Sequence, residues 1–194
     1  MVCDCLDKND FGNTIMWKKF VKKQVWDLEI LQWKLTCSMY DKLNVYNRCV
    51  HEMKLHPWWM FVKFYPSFFK MTAAVISVLM GEQPRGFQIY DKKKCEICRN
   101  NDIDCSFHVL FECRALDTVR SNLFSKVILS MPDCIKLHFE SLVSQEKMRF
   151  LLSGFQQTRY VESYAELYKS TAKFVYFLYK TRYELYDATR IGVT

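Results

Sequence analysis

Glycine and proline are scarce, 5 and 4 in 194 residues, which argues against a turn-rich, sheet-rich fold. Long apolar runs are missing too. The longest uncharged apolar run, residues 71–80, is about half the roughly 20 residues that a bilayer-spanning helix needs. The opening MVCDCLDKND is polar and acidic, unlike a secretory leader. No Asn-x-Ser/Thr acceptor occurs, and the 9 cysteines are an odd number. A secreted disulfide scaffold is therefore not expected; an intracellular, reducing compartment is. Catalytic signatures are absent as well. There is no Gly-x-Ser-x-Gly elbow, no phosphate-binding glycine loop and no adjacent pair of aspartates of the polymerase kind. A zinc deaminase would place His-x-Glu ahead of a Cys-x2-Cys step, and that order fails here. The chain is not expected to be an enzyme, and no small-molecule substrate is expected.

Hydrophobic residues make up 50% and aromatic residues 16%, a composition able to build a core. Lysine and arginine exceed the acids by 28 to 21, and the resulting charge of +7 suits a polyanionic partner.

Helical periodicity dominates. From residue 14 to about 40, Trp17, Phe20/Val21, Val25, Leu28, Leu31 and Leu35 recur at helix spacing, with Trp26, Ile30, Trp33 and Cys37 as a second stripe. Two stripes predict cover on two sides, and Asn13 is the expected N-cap. Residues 41–55 read as a second, weaker helix closed by His56-Pro57. HPWWMFVKFYPSFF reads as a packed connector, and residues 67–80 as a helix ending at Gly81. Leu116, Val119, Leu123, Val127 and Ile128 form a stripe that stops at Pro132. Residues 145–152 read as a short helix ended by Gly154. Residues 158–186 carry Tyr160, Tyr164, Leu167, Thr171, Phe174 and Leu178 on one face. The expected fold is mainly α: a polar lead-in over 1–13, then a single helical bundle over 14–190 with a small irregular zinc-knuckle insert at about 92–114.

That insert reads KKKCEICRNNDIDCSFHVLFEC. Cys95 and Cys98 form a Cys-x2-Cys step, which lets a tight turn aim two thiolates at one ion. His108 and Cys113 complete a Cys3His set suited to tetrahedral zinc. Four side-chain ligands describe a closed, structural site. Cys105 is the alternative to His108, and ordinary unpaired thiols are the alternative to a metal. Phe107, Val109, Leu110 and Phe111 supply an apolar side on which the knuckle can rest. Lys92, Lys93, Lys94 and Arg99 form a basic rim where nucleic acid could meet it, with Phe107 beside them.

The stretch LMGEQPRGFQIYDKKKCEICRNNDIDCSFHVLFECRALDTVRSNLF resembles the region that follows the polymerase domain in non-LTR retrotransposon reverse transcriptases. Shared features are Cys95, Cys98, the His108-x-Leu-x-x-Cys113 segment and Arg120 on the helix after it. The upstream WKKFVKKQVW and DKLNVYNRCVHEMKLHPWW are similar to that family's helical segment, so the likeness runs over about residues 14–186. Met80 stands where many relatives carry an arginine. The resemblance implies a zinc-stabilised (CCHC) tail module that helps a polymerase grip RNA or DNA, here detached from the polymerase core. A zinc-braced protein-interaction module and a decayed element copy are the competing expectations.

Other groups read more plainly. Lys18, Lys19, Lys22 and Lys23 could track phosphates, but such charge runs are usually solvated faces. In HEMKLH the histidines stand five apart rather than the four a zinc protease needs, so His51 and His56 diverge on a helix. His138 is isolated and reads as a surface or half-buried residue. The Tyr160, Tyr164, Tyr168 row reads as a packing face.

Overall fold

The computed structural model describes residues 14–40, 43, 46–47, 50, 56–84, 94–98, 104–154 and 164–191. Among them the secondary structure is helical and no strand occurs, as the periodicity predicts. The chain forms two compact units, Met1–Tyr40 and Asp41–Thr194. The lead-in over 1–13, with the expected Asn13 cap, and most of the weak helix over 41–55 lie outside the described residues.

The first unit contributes α1, Thr14–Met39. Its two apolar stripes are partly covered. Cys37 is buried and Trp17, Phe20, Ile30 and Trp33 are half-buried, whereas Val21, Val25, Leu28, Leu31 and Leu35 are exposed. Cover on both stripes was the expectation. Among the described residues cover is partial on both: Trp17 and Phe20 of the first stripe are half-buried, and Trp26 of the second is exposed.

The second unit begins with α2, Pro57–Phe64, in the segment expected to be a connector. The two prolines that suggested irregular chain instead punctuate a helix. Pro57 sits in its first turn, where its missing N–H costs nothing, and Pro66 opens the 3-10 turn Pro66–Phe68 after it. His56 caps α2, its ring Nδ1 accepting from the Trp58 N–H at 3.4 Å. Helix α3, Phe69–Leu79, then stops at Gly81, whose φ is 73°. The Glu82 N–H donates to Ser77 O (2.8 Å) and the Gly81 N–H to Val78 O (3.0 Å), a Schellman closure that only a residue at ease with positive φ completes cheaply.

Beyond the knuckle come α4, Asp117–Leu129, α5, Asp133–Ser141, and α6, Ser144–Ser153. Helix α5 was not expected: it opens directly after Pro132 and carries one buried residue, Phe139, so its periodic signal is thin. Helix α6 ends at Gly154 in the left-handed conformation, as expected. Helix α7, Ala165–Ile191, is the spine of the unit. Leu167/Tyr168, Thr171/Ala172, Phe174/Val175, Leu178/Tyr179 and Arg182 recur every three or four residues and are all buried. Against this helix pack α3, whose Thr72, Val75, Val78 and Leu79 are buried, and α4, whose Val127 is buried. Each fully buried Leu or Phe there contributes about 1.5–3 kcal/mol.

Aromatic residues join α2 to α7. The Phe61 ring stacks on Tyr168 (centroids 5.2 Å), and Trp58 meets the Tyr168 edge (4.7 Å) while its Nε1–H donates to Leu152 O (3.0 Å). The Tyr168 hydroxyl donates to Gly154 O. Tyr168 thus belongs to a packing face, as its spacing predicted.

Candidate metal centre

The knuckle's first half is a tight turn over residues 95–98. It turns the backbone N–H groups of Ile97 and Cys98 toward the Cys95 sulfur. The second half depends on a wider helical turn. His108 and Cys113 are five residues apart, and on an α-helix that separation leaves two side chains about 140° out of register. The structure resolves this with a π turn over His108–Glu112, in which the Cys113 N–H donates to His108 O at 2.7 Å. The extra residue per turn brings position 113 back beneath position 108.

As a result Cys95, Cys98, His108 and Cys113 each offer one ligand atom, all within 4.8 Å of one another. Cys95 Sγ and Cys113 Sγ are 3.9 Å apart, and Cys98 Sγ and His108 Nε2 are 3.5 Å apart. Around a tetrahedral zinc with sulfur at about 2.3 Å and nitrogen at about 2.0 Å, those separations would be about 3.8 and about 3.5 Å. The four residues lie close enough to hold one metal ion. Cys95, His108 and Cys113 are buried and Cys98 is half-buried, so such a centre would be closed.

The donor chemistry agrees. The hydrogen bond from the Cys113 thiol, aided by the two backbone N–H groups, pushes the Cys95 thiol well below its ordinary value. The same bond, then burial and the neighbouring Cys95 and Cys98 charges, push Cys113 far up. Two thiols this close share one proton. A divalent cation between them removes the conflict, because both then serve as thiolates. On the far side of the imidazole, the Glu112 carboxylate stands 3.9 Å from His108 Nδ1, beyond direct hydrogen-bond reach.

Cys105, the alternative ligand, has another role. It is exposed, and its sulfur accepts from the His108 backbone N–H at 3.4 Å, so it caps the turn that carries His108. Of the expected basic rim, Lys94 is exposed immediately before Cys95, while Lys92, Lys93 and Arg99 lie outside the described residues. The apolar side is in place: Val109 and Leu110 are buried, and Phe107 and Phe111 stack at 5.7 Å. Arg120 is buried and turned inward. It donates to Cys113 O (2.8 Å) and Val109 O (3.4 Å) and pairs with Asp117, which closes the carbonyl end of the π turn. His138 lies on α5 with its ring 6.5 Å from Phe150. His56 is a helix cap, and His51 lies outside the described residues.

Sequence reading missed how the knuckle is tied to α7. Arg182, 1% exposed, forms a buried ion pair with Asp104 and donates to Gln83 Oε1 at 3.3 Å. Burial raises the Asp104 carboxyl despite the guanidinium beside it. One turn earlier, Tyr179 bonds Ser106, and burial pushes its phenol up to about 12. The segment entering the His108 turn is therefore held at two points by one helix. The sequence separation of 78 between Asp104 and Arg182 leaves no local signal for this pairing.

Searches against protein-family models, curated proteins and solved structures found no match to this chain. No helix among the described residues is long and apolar enough to cross a membrane.

Proposed function

We propose that this chain is a non-catalytic, zinc-stabilised nucleic-acid-binding module, of the kind that forms the tail of a non-LTR retrotransposon reverse transcriptase, working inside the cell where its cysteines stay reduced. The observation that carries the reading is the convergence of Cys95, Cys98, His108 and Cys113 beside the exposed Lys94. Zinc bound there would supply folding free energy to an insert with little core of its own. The protein's part is to present three thiolates and one imidazole and to hold their turns with Arg120 and Arg182. The surplus of 7 positive charges supports a polyanionic partner, RNA or DNA.

A protein-interaction module is the second reading, favoured by the exposed Val21, Val25, Leu28 and Leu35 on α1. Binding of a labelled RNA and DNA oligonucleotide across a salt series separates the two. Nucleic-acid binding through several phosphates weakens steeply with salt and is lost when a chelator strips the metal. Absence of binding at low salt by zinc-loaded protein would refute the proposal.

A further inference from the structure

Away from the knuckle, three lysines lie over three aromatic rings along α7. Lys169 Nζ is 4.7 Å from the Tyr65 centroid, Lys173 Nζ is 5.7 Å from Phe68, and Lys70 Nζ is 5.6 Å from Tyr176. Tyr65 and Phe68 both lean on buried Phe61, at 5.0 and 5.8 Å, and Phe61 stacks on Tyr168. Tyr65 and Phe68 are thus seated on the core, and each of the three rings offers a lysine ammonium a face to rest on. Between Phe68, which lies under Lys173, and Lys70, which lies over Tyr176, comes Phe69, 57% exposed. Phe69 presents a large aromatic ring to water on the same segment that carries Lys70.

We propose that this ladder is a binding surface for single-stranded nucleic acid, with Lys70, Lys169 and Lys173 on successive phosphates and Phe69 stacked on a base. Charge selects the occupant. Residues 57–80, which build α2, the 3-10 turn and α3, contain no aspartate or glutamate. Of the three lysines, Lys169 is paired to an acid, exposed Glu166 at 2.7 Å, a contact that water and salt weaken. From position 169 to position 176 the helix rises about 10 Å, the scale of a few nucleotides of one strand. An ammonium over a ring keeps donors free to meet phosphate, and a solvent-facing ring takes any unstacked base. A duplex would bury its bases away from Phe69.

The inference rests on the nucleic-acid reading above and adds a second surface to it. The test is fluorescence anisotropy of a labelled 12-nucleotide single strand, roughly the site size of one small module, with the full zinc-loaded chain across a salt series. The variants are Phe69→Ala and the triple Lys70→Gln, Lys169→Gln, Lys173→Gln, each shown by circular dichroism to be folded. The triple variant should lower the slope of log K against log salt by about 2, since each single-strand phosphate contact contributes about 0.7. Phe69→Ala should weaken binding about tenfold with the slope unchanged. Wild-type slope in the triple variant, or wild-type affinity in Phe69→Ala, overturns the ladder while leaving the knuckle reading standing. Absence of binding by the wild type overturns both, and equal binding of an acidic peptide gives the surface to a protein instead.

Discussion

Arg182→Met should destabilise the second unit by about 3–5 kcal/mol, the usual cost of removing one partner from a buried pair. Arg182 and Asp104 are both almost wholly enclosed, with side chains 2% and 3% exposed. Methionine keeps much of the volume but leaves the Asp104 carboxylate without its cation. The carboxyl can escape only by taking up a proton. Neutralising at pH 7 a group that titrates near 3.9 in an unfolded chain costs about 4 kcal/mol, so two routes give one magnitude. The sign of the pH effect follows. In the variant the folded pKa of Asp104 is raised further above its unfolded value, so the deficit against wild type grows as pH rises from about 4 toward 7. Urea unfolding followed by circular dichroism, with zinc in the buffer, measures it. Because the pair's attraction barely repays its desolvation, Asp104→Leu with Arg182→Met should regain most of the loss. A single variant within about 0.5 kcal/mol of wild type, or a double variant no better than the single, would refute the clamp.

Gly154→Ala should cost about 2 kcal/mol or more, because an added Cβ meets Pro57 Cβ at 2.9 Å and the φ of +72° disfavours a side chain; a drop in Tm of several degrees checks it. Trp58→Phe should cost about 1–3 kcal/mol, since Leu152 O loses its buried donor, and a Cm shift without a change in m would show it. Burial holds His56 near a pKa of about 4, below its unfolded value. A depressed histidine favours the uncharged fold, so stability present above about pH 6.5 should fall by up to about 3 kcal/mol as pH drops toward 4. His56→Asn, which keeps a cap, should flatten that component of the profile; an unchanged profile would contradict it.

Within the second unit, the helices that sequence reading located are those whose core faces repeat cleanly. Residues 145–152 and the long terminal stretch with Leu167, Thr171, Phe174 and Leu178 are of this kind. Helix α2 was hidden because Pro57 and Pro66 look like breakers until one sees that they bracket eight helical residues. Helix α5 was hidden because it buries only Phe139. At the knuckle the residue types and the Cys-x2-Cys step were legible, but the backbone device was not. The spacing of five between His51 and His56 in the sequence is also that between His108 and Cys113, and at the second pair a π turn reunites the two side chains. Nothing local distinguishes the two cases. Nor does composition say that Cys105 caps a turn while Cys113 faces the cluster, or that Arg120 turns inward to the carbonyls of Val109 and Cys113.

Metal content of the purified protein, measured by elemental mass spectrometry beside Cys95→Ser, His108→Ala and Cys105→Ser, tests the central claim most directly. One zinc per chain in the wild type and in Cys105→Ser, with loss of the ion from Cys95→Ser and His108→Ala, is the expected result. Wild-type protein that binds no zinc when refolded with it, or His108→Ala that keeps full zinc while Cys105→Ser loses it, would contradict the Cys3His centre.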